Sequence, residues 1–79
     1  MRVKMNALDL AIPCAVLSTE IQRWTDGERL TAKIHFVHLR KKLSFIVDNR
    51  ALFEFMSVNL NKPVWVWFKL GIIVGCDVQ

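Results

Sequence analysis

The sequence predicts an all-β fold: a small barrel of five or six strands, with one short helix near residues 49–57 plugging one end. Three observations carry this. Apolar and polar side chains alternate with strand period through residues 29–39 and again through 64–69. Turn signals, Asp26-Gly27 and Leu70-Gly71, separate such runs. Helical spacing occurs once, after Asp48-Asn49. With 79 residues and no linker, repeat or low-complexity segment, a single domain over 1–79 is expected.

Along the chain, residues 2–8 alternate loosely and read as a short first strand. Residues 12–24 supply Ile12, Cys14 and Val16, then Ile21 in the opposite phase, so this strand should contain a bulge. Thr25-Asp26-Gly27-Glu28 predicts a hairpin turn, because Asp-Gly accepts positive φ at low cost. In the next strand Leu30, Ala32, Ile34, Phe36 and His38 share one face. Arg40-Lys41-Lys42 reads as the charged turn into a β-rich run at 43–47. Asp48 or Asn49 can cap a helix whose Leu52, Phe53, Phe55 and Met56 fall near i, i+3 and i+4 spacing. Pro63 ends any helix and opens the strand 64–69, and Leu70-Gly71 leads into the last strand, 72–78.

One strand raises a specific question. Val64, Val66 and Phe68 alternate with Trp65, Trp67 and Lys69, so both faces carry large groups although a half-buried strand needs only one apolar face. The chain is 53% apolar and contains three tryptophans and five phenylalanines. That is more than so small a core can hide, and it predicts self-assembly or a host domain.

Composition and spacing argue against several function classes. The formal net charge of +4 arises from eleven Lys and Arg against seven acids, and the densest run, residues 40–42, reads as a solvated turn. A long basic arm and tyrosine are both missing, so nucleic acid is a disfavoured partner; such a role would use Trp24, Phe36 and the basic run for stacking and phosphate neutralisation. Cys14 and Cys76 have no Cys-x-x-Cys spacing and read as ordinary buried thiols of a cytoplasmic protein, with a single bridge between the two ends as the alternative. The longest uncharged stretch has ten residues and contains Pro13, too short to span a bilayer of about 30 Å as a helix, and Asp9 interrupts any signal-peptide core; no membrane insertion is expected.

Catalytic constellations are equally sparse. His35 and His38 point to opposite faces of one strand, so they do not chelate one metal, and a thiol nucleophile needs one of them brought to Cys14 or Cys76. No carboxylate pair can be placed at acid/base distance, and Gly27, Gly71 and Gly75 make no phosphate loop. The expectation is a protein that is not an enzyme, with no catalytic or metal site.

Residues 43–74, LSFIVDNRALFEFMSVNLNKPVWVWFKLGIIV, resemble the C-terminal half of the molybdate/tungstate-binding Mop domain, of the TOBE group of OB-like (molbindin-like) barrels. Ile46-Val47-Asp48 stands where the family's strand ends in Ile-Thr, Glu54-Phe55 where its helix carries Glu-Leu, and Asn61-Lys62-Pro63-Val64-Trp65 where Gly-x-x-Val-aromatic is usual. Lys69 matches the lysine of the closing Lys-Ala-Ser motif, while Leu70-Gly71 replaces Ala-Ser and Asp48 stands near the usual Thr. Upstream, Asn6-Ala7-Leu8-Asp9 sits in the place of Ser-Ala-Arg-Asn, with Leu8 in place of the arginine.

The resemblance implies an OB-like barrel that assembles as a dimer or hexamer and holds a molybdate or tungstate oxyanion between subunits, in storage, homeostasis or transport-associated regulation, alone or within a larger transporter or regulator. It implies charge from Lys69, with Ser44, Ser57 or backbone N–H groups as donors, and a subunit contact through Trp65, Trp67 and Phe55. The second expectation is an interaction or oligomerisation barrel without ligand, and the third a single-stranded nucleic-acid-binding OB-like domain.

Overall fold

The structure, a computed structural model, describes residues 10–24 and 29–79. The expected strand at 2–8 and the Asp26-Gly27 turn lie outside the described residues. The elements are β1 (Leu10–Trp24), β2 (Leu30–His38), β3 (Lys41–Val47), α1 (Arg50–Ser57), β4 (Pro63–Lys69) and β5 (Ile72–Val78). The strands close in the order β1-β2-β3-β5-β4, a small all-β, OB-like barrel with five strands among the described residues. All neighbours are antiparallel except β3 and β5, which meet at one parallel bridge, Ile46 with Ile72.

Closure depends on β1 serving two partners in turn. Its first half pairs with β4, from Leu10 opposite Phe68 to Ala15 opposite Pro63, and its second half pairs with β2, from Ala15 opposite Val37 to Trp24 opposite Leu30. Register shifts fall between Val16 and Ser18 and between Ile21 and Arg23. The first is the phase change legible in the sequence: an extra residue bends the strand and returns Thr19 and Ile21 to the inward register. Pro13 stands before the β2 pairing begins, where its missing N–H forfeits no ladder bond to β2. There His38 Nδ1 donates to Pro13 O at 2.7 Å and ties the end of β2 to β1.

Inward side chains from every strand form one core, including Val16, Ile34, Phe36, Val47, Val64, Val66 and Cys76, each fully buried. At its centre Phe36 lies 5.7 Å from Phe45 and 5.9 Å from Phe68, and Phe45 and Phe68 are 4.4 Å apart, all between ring centroids. The helix covers one side of this core with Leu52 and Met56, both buried, while Phe53 and Phe55 are partly buried against it. Asn49 is the N-cap, its Oδ1 accepting from Leu52 N at 2.9 Å. At the other end Asn59 Nδ2 donates to Phe55 O and Ser57 Oγ to Phe53 O, both at 2.7 Å.

The β2–β3 turn differs from expectation. Arg40-Lys41-Lys42 is not the turn: His38 pairs with Lys41, and the two residues between them, Leu39 (φ 51°) and Arg40 (φ 65°), form a type I′ connection. Lys41 and Lys42 belong to β3. The charge run suggested a loop, but only two residues fit between strands held in this register. Leu70 (φ 53°) and Gly71 (φ 79°) make the β4–β5 turn in the same way.

Removing the helix cap and removing the helix plug should separate in size. Asn49→Ala is expected to cost about 1 kcal/mol and Met56→Ala about 2–5 kcal/mol, read from urea midpoints at constant m-value.

Candidate functional site

The barrel's outer wall has a face that the core does not use. Alternation along β4 sends Val64, Val66 and Phe68 inward and leaves Trp65, Trp67 and Lys69 outside. Pairing on both sides widens this into rows. Trp65 stands between Pro13 of β1 and Asp77 of β5, and Trp67 between Ala11 and Gly75. Gly75 has no side chain to compete with the indole of Trp67 for the sheet surface. Lys69 pairs with Ile72 in the next outward row. Trp65 is 40% exposed and Trp67 half-buried. The result is an apolar strip with a cation at one end and a carboxylate at the other. Lys69 and Asp77 are set apart by four residues of β4, roughly 13 Å at about 3.3 Å per residue. Asp77 Oδ1 accepts from Val78 N at 3.0 Å and stays on the surface.

Of the residues expected to hold an oxyanion, Lys69 lies on this strip, while Ser44 and Ser57 lie on β3 and α1. Ser44, on the outer face of β3, shares a 2.8 Å hydrogen bond with His35 Nδ1 across the β2–β3 ladder. Ser57 is spent on the helix carbonyl of Phe53. No Cα of α1 or of β3 comes within 8 Å of a Cα of β4, the strand that carries Lys69. Phe55, expected beside the tryptophans, packs against the core from the helix, which likewise has no close approach to β4.

The remaining polar groups have local roles. His35 Nε2 is 3.7 Å from Glu20 Oε1, while His38 is engaged with Pro13, so the two rings face different partners. Among the described residues no group of three or more His, Cys, Asp or Glu side chains could hold a metal ion. Phe36, expected to stack on a nucleobase, is fully buried in the aromatic centre. Trp24 is 48% exposed, with the Arg50 guanidinium 4.8 Å from its ring centroid and Arg50 Nε donating to Glu54 Oε1 at 3.0 Å.

No family model, curated protein or solved structure matches this chain. No helix among the described residues is long and apolar enough to cross a membrane.

Both thiols are free and buried. Burial pushes Cys14 up to about 12, with Cys76 nearby adding to the effect, and pushes Cys76 up to about 11, with Asp77 adding. They are protonated at neutral pH, the wrong state for a nucleophile. A pKa above that of the unfolded thiol means that the folded state holds its protons longer. Stability is therefore full below about pH 9 and declines as pH rises toward 11 and 12. Urea midpoints across that window should fall for the native chain and fall less for Cys14→Ala/Cys76→Ala, while a thiol reagent at pH 8 should label the native protein far more slowly than the unfolded one.

Proposed function

We propose that this protein is a non-catalytic interaction module, a barrel that assembles with a second copy of itself through the outer face of β1, β4 and β5. The observation that carries the reading is the layout of that face: Pro13, Trp65, Ala11 and Trp67 in adjoining rows, with Asp77 beside Trp65 and Lys69 beyond Trp67. A two-fold contact pairs residue i with j and j with i. Laying one β4 antiparallel to another puts Lys69 of each copy toward Asp77 of the other and both tryptophan pairs between them. The indoles supply the apolar area that dominates such contacts, and the two charge pairs at the rim fix the direction.

Oxyanion binding is the second reading, supported by the match at Lys69 and by the exposure of that lysine on the strip. Ser57 Oγ already donates to Phe53 O, so the remaining donors would be Ser44, backbone N–H groups or groups of another copy. Titration with molybdate, tungstate and sulfate by calorimetry discriminates: heat only in the assembled protein, lost in Lys69→Ala, supports it, and no heat at millimolar anion removes it.

The assembly reading is tested by sedimentation equilibrium. Trp65→Ser should weaken self-association by at least about tenfold, since interface tryptophans commonly contribute 2 kcal/mol or more. Lys69→Glu should weaken it several-fold, because it sets two carboxylates together at each end. Lys69→Glu combined with Asp77→Lys should recover most of that loss. A wild-type chain that stays monomeric at millimolar concentration contradicts the proposal.

A further inference from the structure

Among the described residues, the end of the barrel at the β2–β3 and β4–β5 turns is open and apolar. A recess of about 410 Å³ lies between the two turns, walled by Ile12, Leu43, Phe45 and Phe68 and bordered by His38, Leu70 and Gly71. Each turn offers a leucine to solvent, Leu39 at 77% exposure and Leu70 at 95%. Neither position is one that leucine suits. Both have positive φ in two-residue turns where Asn, Asp and Gly are the usual occupants. Left-handed backbone is unfavourable for a residue with a Cβ, and neither side chain contributes to the core. Two leucines thus sit where backbone strain and exposure both disfavour them, at neighbouring tips, and the fold itself gains nothing from either.

Among the described residues, the charge around the tips has one sign. Arg40, Lys41 and Lys42 follow Leu39, Lys69 precedes Leu70, and no acidic residue lies within three positions of either turn. The acids among the described residues stand elsewhere: Asp48 and Glu54 at the helix, Asp77 beside Trp65, and Glu20 opposite Lys33. Aliphatic tips ringed by cations match a surface that is negative outside and apolar just beneath. We propose that this end docks on an anionic lipid bilayer, Leu39 and Leu70 entering the headgroup layer and Arg40 and Lys41 meeting the acidic headgroups. A second copy is a poorer occupant, since a symmetric contact here brings Arg40 and Lys41 against their own equivalents. Such attachment needs no spanning segment, and apart from Lys69, which borders both, it uses a different part of the barrel from the tryptophan strip.

Flotation with vesicles tests the proposal on the full chain. Vesicles of equal parts phosphatidylserine and phosphatidylcholine should carry the protein at low salt, and phosphatidylcholine vesicles should carry far less. Leu39→Asn/Leu70→Asn places residues that these turns accept well, so its melting temperature should equal or exceed that of the parent. Its vesicle affinity should fall at least about tenfold, in line with the loss of two buried leucines. Sedimentation of this variant should match the parent. Three results would overturn the proposal: no flotation with the acidic vesicles, undiminished flotation of the double variant, or loss of self-association in that variant, which would assign the tips to contact between copies.

Discussion

The bend in β1 is the constraint on which the rest of this barrel depends. The 15-residue strand pairs with β4 over Leu10–Ala15 and with β2 over Ala15–Trp24, so its two halves serve different neighbours. The extra residue between Val16 and Ser18 falls just past the point where pairing passes from β4 to β2, and it bends the strand there. Ile12 and Cys14 face the core beside β4 and Val16 beside β2, and past the bulge Thr19 and Ile21 return to the inward register opposite Ile34 and Ala32. With β1 divided in this way, β4 lies between β1 and β5, both of its edges are hydrogen-bonded, and its outward side chains are fixed on a surface three strands wide.

From that follows the character of the strip. A strand paired on both edges has no choice about where its odd and even side chains go. Once Val64, Val66 and Phe68 are committed to the core, Trp65, Trp67 and Lys69 must be outside. Neighbouring strands contribute small or absent side chains, Ala11, Pro13 and Gly75, rather than the charges common on exposed sheet faces. Only the ends of the strip are charged, and with opposite sign. Ser44 and Ser57 stand on β3 and α1, neither of which is a hydrogen-bonded neighbour of β4.

Much of the fold is legible in the sequence because its signals are local. Period-two alternation marks β2 and β4, Asn49 with the spacing of Leu52 and Met56 marks the helix, and the change of phase before Ile21 marks the bulge. The β2–β3 turn was less legible because Leu39 and Arg40 are not turn-forming residues by composition; only the cross-strand register of His38 and Lys41 shows where the chain reverses. The site divides along the same line. The outward pair Trp65 and Trp67 can be read from alternation alone, whereas Phe55, Ser44, Ser57 and Phe36 required a knowledge of which elements approach one another. Asp77 was missed entirely, since its place beside Trp65 arises from an antiparallel pairing with a bulge between Trp67 and Phe68.

The central claim, that the tryptophan strip is a contact between two copies in opposite orientation, is tested most directly by isotope-filtered NMR on an equimolar mixture of labelled and unlabelled chain. The account predicts intermolecular cross-peaks between the Trp67 indoles of the two copies, with Lys69 side-chain protons of one near Trp65 and Asp77 of the other. Intermolecular peaks confined to other surfaces, or none at concentrations where the protein sediments as a dimer, would contradict it.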